Sequence, residues 1–407
     1  MACDLPPLPK KRKSPAAAPT TISALGDDLL REIFLRLPSL PALVRAALTC
    51  RSSLRAVRSC PTFRRRFREL RSPPLLGLFI NILDFKTPAF RPLRLRPDPD
   101  IAAVVRRADF FLTRLPNSDE GSALKWLIRD CRDGYVVLIS QNTNHMAVYN
   151  PLTRALHLLP KPPRKICKEM YVEFHVLSSE EDPGLFRVIC VCHEVYGAQA
   201  AVISSETREW QIFPWVEAAN IEPDLQPEHK DYTAHNGVLV NGHIYWTQAS
   251  RASARVLNTA TLQFSRIDLP PHIRGQGALT AGETRDGKLC VICAIRLTLV
   301  VWSWIADDDG IERWMLDKKF QLLPTIHALA ADSPVDGHEL KILAIVNGVV
   351  YLSMFYELEP SLSGWFLSFC LETGKLNKLC HVLHPDSLYP YIMAWPPSLV
   401  VLDKVNP

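Results

Sequence analysis

The sequence opens without the apolar core that a secretory leader needs: residues 1–20, MACDLPPLPKKRKSPAAAPT, are polar and rich in Pro, Ala and Lys. It contains no His-Glu-x-x-His, no Gly-x-Ser-x-Gly and no pair of Cys-x-x-Cys motifs. The usual signatures of zinc hydrolases, α/β-hydrolases and cysteine-ligated zinc modules are therefore missing. Cysteines number eleven, an odd count, and Cys190, Cys192, Cys290 and Cys293 sit inside apolar runs. Buried thiols explain them better than bridges, so a reduced, intracellular protein is expected. One stretch, 289–306, LCVICAIRLTLVVWSWIA, approaches the length of a membrane span, but Arg296 stands near its middle. A lone arginine at bilayer depth costs several kcal/mol, and the β-branched content fits two consecutive buried strands better. No membrane association is expected.

The remainder is ordinary in bulk and uneven in charge. Apolar residues make up 47% and charged residues 22%, as in a soluble globular protein. The net charge of +5 divides into +10 over residues 1–71 and −5 over the rest. That asymmetry points to a front end that meets an acidic surface, protein or nucleic acid. For nucleic acid the interleaved aromatics are lacking: only Phe34, Phe63 and Phe67 occur there, so no such partner is expected. Residues 1–20 have almost nothing to bury and read as a disordered basic tail. Within it Lys10, Lys11, Arg12 and Lys13 form a nuclear-import candidate, and the expected location is the nucleus, the cytoplasm or both.

From Ala24 the text becomes helical. Asp27 and Asp28 open a first helix with Leu29, Leu30, Ile33, Phe34 and Leu37 at helical spacing, and Pro38 stops it. Ser39 is placed to cap a second helix, starting around Pro41 and carrying Leu43, Val44, Ala47 and Leu48. A third segment spans 51–59 and a fourth 61–70, ended by Pro73-Pro74. A module of 21–70 cannot bury all these apolar side chains alone, so part of the stripe must face another domain or another protein.

The string from Ile22 to Phe67 resembles an F-box, through Leu25, the Asp27-Asp28-Leu29-Leu30 start, Ile33, Leu37-Pro38, Leu43-Val44-Arg45, Cys50-Arg51 and Pro61-x-Phe63. It departs from the family pattern at Gly26, where Pro is usual, and at Ser53, where Trp is usual, with Leu54 beside it. The resemblance implies binding to an acidic Skp-type adaptor and, through it, a cullin–RING ubiquitin ligase. It assigns adaptor contact to Leu25, Leu29, Leu30, Ile33, Leu37, Pro38, Leu40, Leu43, Val44 and Ala47.

Residues 71–407 read as β almost throughout, apart from a short helix near 101–111. Runs of apolar, β-branched and aromatic residues alternate with turn pairs: Asp133-Gly134, Asn236-Gly237, Asn241-Gly242, Asp286-Gly287, Asp336-Gly337 and Asn347-Gly348. A repeat emerges when the turns are aligned. Apolar residues, a polar turn with Thr and a further strand recur around Thr153, Thr207, Thr261 and Thr373, spaced 54, 54 and 112 residues apart. Val301 to Trp314, with an acidic Gly turn, fills the skipped slot, and a weaker first copy surrounds Thr87. Six units of roughly four strands fit a six-bladed, kelch-like β-propeller better than a sandwich, with a last strand over 391–401 closing the ring on the first blade. The region also resembles the F-box-associated β domains common in plants, through Asn150-Pro151-Leu152-Thr153 after the Asp133-Gly134 strand.

Two near-motifs are better read as turns. Gly282 to Lys288 has phosphate-loop spacing, but Leu289 replaces the Ser or Thr that would hold magnesium, and a strand follows instead of a helix. Gly275-x-Gly277 lacks the third glycine. With no catalytic constellation, no cofactor and no metal site, the reading is a non-catalytic substrate receptor of an SCF-type ubiquitin ligase whose β domain captures an unknown protein target. The alternatives are a nucleic-acid-associated protein, a non-ligase protein-binding propeller with a degenerate F-box, and a propeller enzyme. Specificity is expected in the loops 161–169, 220–230 and 357–364.

Overall fold

The computed structural model describes residues 25–82, 85–93, 99–116, 125–143, 145–163, 166, 172–178, 185–194, 197–217, 237–247, 253–270, 273, 278–306, 309–329, 338–356, 364–382, 388–396 and 399. Four helices come first: α1 (Asp27–Leu35), α2 (Leu40–Ala47), α3 (Arg51–Arg58) and α4 (Pro61–Leu70). Each begins on an extended residue. Ser39 Oγ accepts from the Ala42 N–H, and Cys50 and Cys60 place their sulfurs 3.5 and 3.4 Å from the N–H groups of Ser53 and Phe63. Three of the four helix starts are thus capped by a side chain, two of them by cysteines. Ser53, in the place where the family has Trp, is buried and shares a hydrogen bond with Cys50 Sγ, while the neighbouring Leu54 packs against the core.

Arginines tie the module together. Arg31 reaches from α1 to the Ala56 carbonyl and Ser59 Oγ, Arg55 pairs back to Asp27, and Arg64 and Arg71 donate to the Arg58 and Leu37 carbonyls. Arg55 beside Asp27 holds that carboxyl below the ordinary range. Four of the fifteen cations counted over residues 1–71 are therefore structural ties.

The β region forms six sheets arranged as blades around an axis. Blade 1 joins β1 (Leu75–Ile80) and β2 (Ala89–Pro92) to the last strand, β24 (Leu388–Ile392). Blade 2 holds β3 (Trp126–Arg132), β4 (Tyr135–Ser140), β5 (His145–Asn150) and β6 (Ala155–Pro160). Blade 3 holds β7 (Val172–Ser178), β8 (Phe186–Glu194), β9 (Gly197–Ser204), β10 (Trp210–Ile212) and β11 (Val216–Glu217). Blade 4 comprises β12 (Val238–Val240), β13 (His243–Trp246), β14 (Ser253–Asn258) and β15 (Phe264–Asp268). Blade 5 comprises β16 (Ala278–Glu283), β17 (Leu289–Ile295), β18 (Thr298–Ala306) and β19 (Glu312–Gln321). Blade 6 comprises β20 (His338–Val346), β21 (Val349–Tyr356), β22 (Gly364–Cys370) and β23 (Leu376–Val382). The inner strands β24, β3, β7, β12, β16 and β20 line the axis. This is the six-bladed propeller that the repeat implied.

The repeat has a physical cause. In blades 2, 3, 4 and 6 the Thr turn joins the third strand to the fourth, and the residue after each Thr takes a left-handed backbone: Arg154, Arg208, Leu262 and Gly374. Asn150 Oδ1 accepts from the N–H groups of Leu152 and Thr153, and Asn258 Oδ1 from those of Ala260 and Thr261, fixing the turn locally. Blade 5 substitutes Gly310 at positive φ. The inner hairpins Asp133-Gly134, Asn241-Gly242 and Asn347-Gly348 have positive φ at both residues, the geometry that matches strand twist.

Several expectations need adjusting. The turn around Thr87 joins the second and third strands of blade 1, counted from the axis, because the chain's last strand supplies the innermost position. That strand is 388–392 rather than 391–401, and residues 400–407 lie outside the described ones. The short helix is α5 (Pro99–Arg107), and a further helix, α6 (Leu323–Leu329), follows blade 5 unannounced by any long amphipathic pattern. The apolar stretch 289–306 is the β17–β18 hairpin with Arg296 at its turn, and no described helix is long and apolar enough to cross a membrane. Asp286-Gly287 is a hairpin turn between β16 and β17, as the missing magnesium ligand implied. Asn236, Asp336-Gly337, Gly275 and Gly277 lie outside the described residues.

One contiguous core joins the helices to blades 1 and 2. It runs from Leu30, Phe34, Leu43 and Phe67 to Phe79, Phe110, Trp126, Tyr149 and Tyr391. The apolar surplus of the helical module is thus absorbed partly by the propeller itself.

Candidate docking seam and axial channel

The ten residues to which the F-box resemblance assigns adaptor contact divide by burial. Leu30, Leu40, Leu43 and Ala47 are buried in the shared core. Leu25, Leu37 and Val44 are half-buried and packed against it. Leu29 and Ile33, 58% and 42% exposed, stand one turn apart on α1, and Pro38 beyond its end is also exposed. Leu48, at the end of α2, is 55% exposed and is not among the ten. Charged side chains flank this apolar surface: Arg31 with Asp28, and Arg66 with Glu32.

The opposite side of the module is fixed to the propeller. Arg285, in the inner hairpin of blade 5, donates Nε and Nη2 to the carbonyls of Glu69 and Leu70, the last residues of α4, at 3.3 and 3.2 Å. Its Nη1 pairs with Glu372. Asn347, in the inner hairpin of blade 6, donates to the Arg68 carbonyl at 3.0 Å and lies 3.2 Å from Ser72 Oγ. The orphan carbonyls of the α4 C-terminus are therefore satisfied by the propeller. Trp395 meets Phe67 edge-on at 5.9 Å, and the Arg68 guanidinium lies over its ring. In sequence Arg285 and Asn347 read only as turn residues and Trp395 as part of the closing strand. Arg285→Ala with Trp395→Ala is expected to leave both parts folded while loosening their attachment. Limited proteolysis should then cut near Ser72 at least several-fold faster; an unchanged rate would show that the apolar core alone holds them.

The propeller axis is a channel of about 1680 Å³, and the module lies across one end, where Leu40, Val44, Phe67 and Arg71 line it. At its other end the strand termini lead into the segments expected to carry specificity. Those segments lie outside the described residues except for 161–163, Ile166 and Gly364, as do Lys10, Lys11, Arg12 and Lys13.

Between blades 3 and 4 sits a polar cluster. Glu173 Oε2 accepts from Gly237 N–H and Trp246 Nε1, both at 2.8 Å, with His175 Nε2 3.4 Å away. Arg255 donates to His193 Nδ1 at 2.8 Å, which places the proton of a neutral His193 on Nε2. Burial opposes the Glu173 carboxylate, but the two histidines and the Gly237 N–H outweigh it and keep its pKa below the ordinary value. Burial, reinforced by Arg255 and His175 against the pull of Glu173, pushes His193 down to about 3. Between that value and the ordinary 6.5 the unfolded chain binds a proton that the folded chain does not, so stability falls as pH drops below about 6.5. At pH 5.5 this one group costs roughly 1 kcal/mol. His193→Gln, which still accepts from Arg255, is expected to reduce the loss between pH 7.5 and 5.5 by about that amount in urea titrations. An identical acid slope would exclude His193 as its source.

Two further histidines have structural partners: His157 packs on Phe186, and His243 bonds to Asn241 and Asn258. No group of metal-ligating side chains occurs among the described residues. The described cysteines are all free, and burial pushes the Cys290 and Cys293 thiols up, to about 12 and about 11.

Comparison with known proteins agrees with this architecture. A family model described as F-box protein AT5G49610-like, beta-propeller, matches residues 127–399, and an F-box domain model matches residues 22–65. No curated protein matches the sequence. Similar solved structures include a Lactobacillus plantarum protein, 11% identical over 75% of this chain and 82% of that one, with a TM-score of 0.40. A luciferin-regenerating enzyme is 11% identical over 66% and 77%, TM-score 0.32. The β-propeller domain of the Trilobed protease from Pyrococcus furiosus is 12% identical over 62% and 84%, TM-score 0.33. At these scores none of the three bears on what this chain does.

Proposed function

This chain belongs to the AT5G49610-like F-box propeller proteins, whose build is that of a substrate receptor, and on that footing we propose that it serves an SCF-type ubiquitin ligase. Its exposed seam of Leu29, Ile33 and Pro38 binds a Skp-type adaptor, which links it to a cullin. The propeller holds the protein target and itself performs no chemistry. The observation that carries the reading is the two-sided module: one face is locked onto blades 5 and 6, and the other leaves large apolar side chains in water. A solvent-facing apolar pair on a rigid helix is the anchor expected of a helix-mediated interface. The remaining cations on the helices, such as Arg65 and Arg66, speed encounter with an acidic adaptor more than they tighten the complex. The adaptor sits at the module's end of the propeller axis and the target at the opposite mouth. Because the joint between them is rigid, the distance from target to ligase is set by the fold. Full-length chain mixed with a Skp-type adaptor should elute with it as one complex in gel filtration. Separate elution of the two folded proteins would sink the ligase reading and leave a propeller that binds proteins on its own account.

A further inference from the structure

The axial channel carries basic side chains that the receptor role does not by itself require. Inner strand β3 carries a bulge: Ile128 pairs with Leu138 and Asp130 with Val137, leaving Arg129 as the extra residue. Bulges of this kind re-aim a side chain, and Arg129 lies exposed on the channel wall. Arg132, three residues on, lines the same wall, and Lys341 of β20 in blade 6 also lines the channel. Neither arginine makes a hydrogen bond or ion pair among the described residues; Arg132 has only longer-range attraction to Asp130 and Glu283.

The channel carboxylates stand in a different position, because the chain's own donors already occupy them. Asp130 accepts from the N–H groups of Cys131 and Val176, Asp133 from Ser178 Oγ, and Glu173 from Gly237 and Trp246. Glu283 is bonded by the Asn347 N–H. Glu339 is an exposed acid of the channel wall, but it is the second residue of β20, at the outer rim beyond Lys341. Arg129 and Arg132 thus leave guanidinium donors on the channel wall, groups that match carboxylate and phosphate oxygens in planar pairs.

We propose that the channel receives an anionic side chain of the target, a carboxylate or a phosphate, through the mouth opposite the helical module, with Arg129 and Arg132 as its ligands. The helices across the other end leave this mouth as the route of entry. The proposal deepens the receptor reading and takes from it only that the propeller holds a peptide segment of a target.

The test uses the full-length chain to select from a random-peptide library, followed by affinity measurement on the enriched peptides. Enrichment of Asp or Glu is expected, with binding that weakens tenfold or more in Arg129→Gln. The same weakening is expected in Arg132→Gln, while melting temperature and adaptor capture stay unchanged. Exchanging the key acid for phosphoserine in the selected peptide then shows which anionic head binds better. A library that yields no binder, peptides without acidic enrichment, or binding undiminished by both substitutions would overturn the proposal. Loss of adaptor capture by the wild-type chain with acidic-peptide binding intact would overturn the ligase reading and leave the channel assignment standing.

Discussion

Leu29→Asp with Ile33→Asp is expected to weaken adaptor binding by at least a hundredfold while leaving the melting temperature of the chain unchanged. Both side chains are partly in water in the free protein and neither belongs to the buried core, so exchanging them for carboxylates removes little buried contact within the chain. In a complex each would bury an apolar side chain, a gain of about 1.5–3 kcal/mol apiece, and a carboxylate in that place would meet an acidic partner. Leu43→Asp should behave in the opposite way. Leu43 is fully buried in the core shared with blades 1 and 2, and an unpaired carboxylate there unfolds the module and loses adaptor binding as a consequence. Binding and melting measured on both variants separate a contact from a core residue. Equal loss of stability in the two would mean that the α1 surface is not the free face it is here.

The second large effect is at ring closure. Tyr391 is fully buried on β24, the strand that brings the end of the propeller against its beginning, and its hydroxyl donates to the Gly134 carbonyl at 3.0 Å. Its ring meets Phe79, Phe90 and Phe110 edge-on, joining the innermost strand of blade 1 to the strands outside it and to the segment after α5. Tyr391→Ala is expected to cost about 3–5 kcal/mol and to lower the denaturant midpoint of the whole chain, module included, because the core is continuous. Tyr391→Phe removes only the hydrogen bond and should cost about 1 kcal/mol. A Tyr391→Ala chain that unfolds as before would show that β24 contributes little to closure. A chain that loses blade 1 alone would show that the core is not cooperative across it.

The helical module and the blade repeat were legible because both are written in local chemistry. The α1 spacing of Leu29, Leu30, Ile33 and Phe34, the stop at Pro38 and the Ser39 cap are short-range signals, and so are the Thr turns of blades 2, 3, 4 and 6 and the Asn-Gly or Asp-Gly hairpins of blades 2, 4, 5 and 6. Burial was less legible. The apolar pattern marks a stripe on each helix without saying that Leu30, Leu40, Leu43 and Ala47 turn inward while Leu29 and Ile33 face out. That division depends on where the propeller sits, which is decided by residues more than 200 positions away, Arg285, Asn347 and Trp395. The Arg129 bulge was hidden for a related reason: it is a property of the pairing between β3 and β4 and leaves no mark on the composition of either strand. Closure of blade 1 by a last strand was legible, but its bounds were not: β24 is Leu388–Ile392, set by its pairing with β1 more than 300 residues earlier.

The most direct measurement is hydrogen–deuterium exchange across the full-length chain, alone and with a Skp-type adaptor bound. Protection is expected over residues 25–38 and around Leu48, with no change in the α4 end, in the hairpins holding Arg285 and Asn347, or in the blades. Such a footprint would place the adaptor on the outer seam of a module that stays fixed to its propeller. Protection centred on α4 or the blades, or faster exchange where α4 meets them, would contradict that arrangement.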